Sequence, residues 1–297
     1  MARVSIIVPS RKERFLVPTV VDLLAKSSGD VELIVVLEGY WEHGLPLADP
    51  RLKVLHHGKA QGMRPAINAA AEVATGTHLL KCDAHTLWDG GYDAKLLADY
   101  REDNWILTPR RYALDPERWA IEEGNPKYPV DYEYLSYPFE RPDDPTCGLH
   151  GTEWRARREA RKDILLDEDM SSQGSAWFMS KRQWDWLKPM NISLFGNFYG
   201  ESQEIGLQTQ LAGGVMMRTK NTWYAHLRKG KKYGRGYALG LEGHRRGAGA
   251  MLTLCMLNGW KDQTQSLQSL VERFAPVPGW PADLDRCFAE AKQRLAA

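Results

Sequence analysis

In the first hundred residues, short apolar runs alternate with stretches of helical periodicity, and this constrains the chain more than any other feature. "RVSIIVP" (3–9) is β-branched and closed by Pro9; "VELIVVLEG" (31–39), "RLKVLHH" (51–57) and "THLLKC" (77–82) are three further strand-like runs. "RFLVPTVVDLLAKSS" (14–28) has apolar residues at helical spacing, with Pro18 near its start, where proline is tolerated. "MRPAINAAAEVATG" (63–76) is alanine-rich and helical with Gly76 as its C-cap, and "GYDAKLLADYRED" (91–103) reads as another helix. Strands alternating with helices predict an α/β layer with a mainly parallel sheet. Ligands of such sheets sit outside the carboxyl ends of the strands. Arg11 and Glu13 follow the first strand there, Glu38 the second, and Asp83 and His85 the fourth.

From about 108 to 170 the periodicity fades into a stretch rich in Pro, Tyr and acids, read as a long irregular insertion of the kind that serves as a lid or binding loop. Regular structure resumes with "GSAWFMSKRQWDWL" (174–187), strand then helix, and "ESQEIGLQTQLAGG" (201–214), a helix with a glycine stop. "VMMRTKNTWYAH" (215–226) reads as two short strands, and "AGAMLTLCMLNGW" and "PADLDRCFAEAKQRLAA" as helices of the tail. These segments divide into a domain over 1–229 and a basic loop with C-terminal helices over 230–297, packed on the same domain.

The 297 residues carry a formal net charge of +1, so bulk charge names no partner. Cys82, Cys147, Cys255 and Cys287 have no paired spacing, against a zinc site or a disulfide framework. The opening apolar run is too short for a signal peptide, and no segment is long enough to cross a bilayer, so a reduced cytoplasmic setting is expected. No obligatory protein partner is evident. The 11 tryptophans read mainly as packing residues, with stacking platforms for sugars or bases as the alternative.

"KCDAH" (81–85) sets a carboxylate and an imidazole two residues apart, pointing the same way if the chain is extended. The triplet alone fits either a metal ion or a polar loop. The surrounding order of segments decides between them. "VSIIVPSRKER", then "GMRPAINAAAEVATGTHLLKCDAH", "GSAWFMSKRQW", "YGESQEIGLQTQLAGG" and "WYAHLRKG" resembles, over roughly 3–229, the nucleotide-sugar glycosyltransferases of the GT-A fold. The resemblance is to family-2 enzymes and to the polypeptide N-acetylgalactosaminyltransferases, whose metal motif is Asp-x-His rather than Asp-x-Asp. It implies a Rossmann-like sheet flanked by helices and a nucleotide-sugar-dependent hexosyltransferase using a UDP-sugar with Mn²⁺ or another divalent cation.

By the same resemblance, Asp83, His85 and His226 hold the metal, and Pro9, Arg11, Glu13, Glu38, Arg64, Asp83 and Lys229 hold the donor. The chemistry suits these residue types. A divalent cation on the departing diphosphate stabilises its developing charge, and two imidazoles with one carboxylate suit a borderline ion such as Mn²⁺ better than Ca²⁺. Glu201 is the main catalytic candidate and Glu204 the second. Inverting members of the fold usually carry Glu-Asp at this point, the Asp deprotonating the acceptor. Here Ser202 stands in that place, so inverting and retaining chemistry both stay open.

For the acceptor, two basic runs stand out: "WRARREARK" (154–162), and 226–246 with seven Lys or Arg and one acid. They fit a solvated face, a loop closing over the donor diphosphate, or contact with a polyanion. "KGKKYGRGY" is similar to segments of phage-type family-2 enzymes that glycosylate hydroxymethylated DNA bases. The favoured acceptor is accordingly a 5-hydroxymethylated pyrimidine in DNA, extruded to reach the donor carbon. The alternatives are a glycan hydroxyl and, in another class, a non-catalytic nucleotide-sugar or glycan-binding module on the same fold.

Overall fold

A computed structural model describes residues 3–125, 127–139, 148–234 and 241–296. Cys147 and residues 235–240 of the second basic run lie outside the described residues. The first half runs β1 (Val4–Ser10), α1 (Leu16–Lys26), β2 (Val31–Glu38), β3 (Leu52–His57), α2 (Met63–Val73), β4 (His78–Cys82), β5 (Thr86–Trp88) and α3 (Tyr92–Asp99). β3, β2, β1 and β4 lie side by side and parallel. β2 is buried along its whole length, as a parallel strand covered on both faces should be. Its alternating side chains fill two layers. Leu33, Val35 and Leu37 join Leu16, Val20 and Leu23 of α1 on one face, while Ile34 and Val36 join Ala66, Ile67 and Ala70 of α2 on the other.

β6 (Trp105–Asp115) leads into β7 (Ala120–Ile121), β8 (Glu133–Leu135), β9 (Gly151–Glu153), α4 (Arg155–Ala160) and β10 (Leu166–Glu168). The described part of the stretch read as an irregular insertion is therefore built of short strands and a helix. It is held by charge that periodicity cannot reveal. Arg218 Nη2 donates to Asp169 at 2.8 Å and to Glu133 at 3.2 Å, and Arg111 Nη2 donates to Glu133 at 3.2 Å, all four residues being buried.

The chain then forms β11 (Ala176–Ser180), α5 (Lys181–Leu187), α6 (Ile192–Phe195), α7 (Glu201–Leu211) and β12 (Val215–His226). β11 enters antiparallel between β4 and β6, and β12 runs parallel to β6. Among the described residues the main sheet has ten strands, with the path β10-β12-β6-β11-β4-β1-β2-β3 and β5 and β7 attached at its side. β12 is one strand rather than the two expected, because the apparent break is a register shift between Thr219 and Trp223.

Last come α8 (Gly230–Tyr233), α9 (Leu241–Met256), α10 (Leu267–Phe274) and α11 (Leu284–Ala296). α10 carries the signals of a helix that was not among those expected from the sequence: the Ser266 side chain caps it, and Leu267, Leu270, Val271 and Phe274 fall on one face. These helices share a core with the insertion and α6–α7, joining Met251 and Phe274 to Tyr132, Trp154, Phe195 and Leu207. The C-cap of α2 is Ala74, not Gly76. Gly76 instead permits close passage beside β1, where a Cβ would stand 2.6 Å from Ser5 Oγ and 2.7 Å from the Arg3 carbonyl.

Candidate functional site

A cleft of about 840 Å³ opens at the carboxyl ends of β1, β2 and β4. Its lining includes Pro9, Arg11, Glu13, Glu38, Asp83, His85, His226 and Lys229. Asp83 leaves β4 with its amide donating to the Ser175 carbonyl at 3.0 Å, so the entry to antiparallel β11 fixes the exit of β4. β5 pairs with the last residues of β12, and the Leu227 amide donates to the His85 carbonyl at 3.2 Å. That pairing brings His226 to His85 across 141 residues of sequence, with ring centroids 4.8 Å apart.

Asp83 Oδ2 lies 3.1 Å from His226 Nε2 and 3.8 Å from His85 Nε2. One ligand atom from each of the three residues falls within 4.8 Å of the others, a spacing that one divalent cation can bridge. Burial pushes His226 down to about 4, against the opposing pull of its bond to Asp83, so at neutral pH its imidazole is uncharged and keeps a lone pair for a metal. Burial would raise Asp83, but Lys81 and the two histidines outweigh it and hold the carboxylate ionised. The donor set of one carboxylate and two imidazoles fits a borderline divalent ion.

Behind these three residues stands Glu13, whose Oε2 lies 3.2 Å from His85 Nδ1 and is also bonded by Lys229. A carboxylate on the far nitrogen of a metal-facing imidazole fixes its tautomer and orientation. Burial acts to raise Glu13, yet His85 and Lys229 bring it below the ordinary range. Glu38 is occupied within the chain: Oε2 accepts from the Gln61 and Gly62 amides at 2.6 Å each, and Oε1 meets His57 Nδ1 at 2.5 Å. It shapes the turn before α2, with Gly62 at φ 111° where an L side chain would be strained.

Residues 5–166, more than half of the chain, match a family model described as Glycosyl transferase family 2. The chain belongs to glycosyl transferase family 2. No curated protein sequence matches it. Among solved structures, this family 2 member is similar to a crystal structure of GalNAc-T7 with UDP, GalNAc and Mn²⁺. The TM-score is 0.67 at 14% identity, over 98% of this chain and 54% of that one. The chain thus spans about half the length of the GalNAc-T7 chain. It is also similar to S. aureus TarS 1–349, with a TM-score of 0.51 at 12% identity, over 98% of this chain and 71% of that one. At such identities the likeness is one of fold, and the fold is GT-A-like.

Two residues expected at the site of this family 2 chain lie away from the cleft. Arg64 is fully buried, bonded to Glu204 and donating from Nε to the Tyr199 carbonyl at 3.1 Å. Glu204 is fully buried too, its other oxygen accepting from the Asn191 amide at 2.9 Å. Each is committed within the protein: an arginine and a glutamate buried together satisfy each other, and here they tie α2 to α7. Glu201 is also buried, one step behind the metal-facing residues. Its Oε1 lies 2.8 Å from Lys81 Nζ and accepts from Trp177 Nε1 at 2.9 Å, and its Oε2 is without a hydrogen-bond partner. Burial raises Glu201, and Lys81 counteracts this.

Lys81 itself carried no expectation, although the signal was there, since it lies two residues before Asp83 on the same side of a strand. A second cavity of about 340 Å³ adjoins the first through Asn197 and Phe198, which line both, and continues to His244 and Arg246 at the start of α9. The basic run 154–162 is largely committed. Arg157 lies over the rings of Tyr132, Trp154 and Phe274, Arg158 donates to the Pro129 carbonyl at 2.8 Å, and Arg161 pairs with Asp167. Among the described residues no helix is long and apolar enough to cross a membrane.

Proposed function

We propose that this family 2 member is a divalent-cation-dependent glycosyltransferase that moves a hexose from a UDP-sugar to an acceptor hydroxyl. The observation that carries the reading is the convergence of Asp83, His85 and His226 on one point of the cleft, at the strand ends where an α/β sheet binds its ligands. The likeness in fold to GalNAc-T7, solved with UDP, GalNAc and Mn²⁺, supports UDP-sugar and Mn²⁺ as donor and cation. When bound, the cation supplies Lewis-acid stabilisation of the departing diphosphate.

The chain's own residues do the rest. His85, backed by Glu13, and His226 turn their imidazoles toward the cation. Pro9 and Arg11 wall the donor, and Lys229 adds positive charge at the cleft mouth beside Glu13. Glu38 acts on the donor through the turn it holds rather than by direct contact. Glu201 serves the acceptor side, its unpartnered Oε2 lying beside Gly174.

For the acceptor, Arg228, Lys229 and Gly230 at the cleft keep a 5-hydroxymethylated pyrimidine of DNA in play. The internal pairing of 154–162 and the second cavity, with Phe198 to stack a sugar and Arg246 to bond it, favour a glycan hydroxyl. The test is release of UDP from a panel of UDP-, GDP- and TDP-sugars with and without Mn²⁺, followed by transfer to hydroxymethylated DNA and to oligosaccharides. Mn²⁺-dependent hydrolysis confined to UDP-sugars, abolished in Asp83→Ala and His226→Ala, is the expected result. Donor cleavage that persists in Asp83→Ala with a chelator present sinks the reading.

A further inference from the structure

Lys81 is a buried charge, beside the cleft residues, that the proposed reaction does not use. Its side chain is wholly inaccessible to solvent, yet its ammonium is fully bonded: 2.8 Å to Asp83 Oδ1, 2.8 Å to Glu201 Oε1 and 2.5 Å to the Gly174 carbonyl. Three acceptors for three N–H bonds leave no freedom. The two oxygens of Asp83 are thereby sorted, with Oδ1 held by Lys81 and Oδ2 facing His226 and His85. We infer that Lys81 is a positioning residue that makes Asp83 a one-oxygen ligand and locks its orientation to Glu201 and to the loop entering β11. This rests on the metal reading of Asp83, His85 and His226.

The opposite expectation is simple and has the opposite sign. A lysine beside a cation site repels the cation, so its removal should strengthen binding if charge alone matters. Orientation works the other way: losing an outer partner of a metal ligand costs 10–100-fold in affinity. Removing Lys81 alone would strand Glu201 as an unpaired buried charge and endanger the fold. The useful comparison is therefore between Glu201→Gln and Lys81→Met/Glu201→Gln. In the first, the new amide oxygen still accepts from Lys81 and Trp177. In the second, the buried cation and anion leave together.

Mn²⁺ binding in the presence of UDP, followed by calorimetry and by the electron paramagnetic resonance of the ion, reads the site without requiring turnover. Thermal melting of each variant confirms that it is folded. Positioning predicts that the double variant binds Mn²⁺ about tenfold more weakly than Glu201→Gln, with an altered resonance spectrum as Oδ1 is released. A folded double variant that binds Mn²⁺ as tightly as Glu201→Gln, or tighter, overturns the role of Lys81 while leaving the metal site standing. If the wild-type chain takes up no Mn²⁺ with UDP, the metal reading falls first and the inference with it.

Discussion

The side chains of this protein divide sharply between those that face the cleft and those that hold up its walls, and type and spacing do not separate the two. Arg64 and Glu204 illustrate the point. Both have the chemistry to bind phosphate or take a proton, and both sit beside segments that line the cleft, yet they pair with each other in the interior. Arg64→Met should therefore cost on the order of 3–5 kcal/mol, by leaving Glu204 charged and unpaired, and Arg64→Met/Glu204→Gln should recover most of it. Urea unfolding of the three proteins measures this. If Arg64→Met unfolds like the wild type but loses UDP affinity, the arginine belongs to the donor site after all. The clustering of Asp83, His85 and His226 was legible because a resemblance supplied the third; no local pattern links His226 to Asp83. Lys81 was readable from strand alternation. Glu13 was placed at the cleft, but its closeness to His85 could be seen only once the chain was folded.

At the scale of elements, the alternating first half was readable because each strand is apolar through its length and each helix has one apolar face. Sequence reading failed where other forces decide. The strands of the insertion are too short for periodicity, and buried ion pairs between Arg111, Arg218, Glu133 and Asp169 hold them. A polar residue inside a strand can likewise be structural. Glu32, the second residue of β2 and fully buried, accepts from Ser5 Oγ at 2.5 Å, Lys53 Nζ at 2.5 Å and the Thr75 amide at 2.6 Å. Burial would raise its pKa, but Lys53 and these hydrogen bonds bring it down to about 2 from an ordinary 4.5. A lowered carboxylate favours the folded state above its unfolded value and loses that advantage as the pH falls through its folded value. The stabilisation, on the order of 3 kcal/mol, is thus complete at neutral pH and fades between about pH 5 and pH 2. Glu32→Gln should be less stable at pH 7 and show a flatter loss of stability on acidification. A wild-type urea midpoint no steeper with pH than the variant's would show that Glu32 holds no such charge.

For the whole molecule, the basic run 154–162 matters less as a surface than the sequence suggested. Arg157 and Arg158 are spent on aromatic rings and a carbonyl, binding α4 to the core shared by the insertion and the last helices. Replacing both by Gln should lower the melting temperature and leave the salt dependence of any duplex DNA binding unchanged. Each phosphate contact adds about −0.9 to the slope of log affinity against log salt, so a slope shallower by nearly two units would return these arginines to the acceptor surface. The antiparallel entry of β11 has a consequence for synthesis. Asp83 takes its amide bond from Ser175, Lys81 is anchored on Gly174, and His226 comes at the end of β12. A ribosome making this chain has therefore finished the parallel half of the sheet well before Asp83, His85 and His226 can meet. That cluster appears only when contacts separated by about half the chain have closed, among the slowest events in the folding of such a sheet.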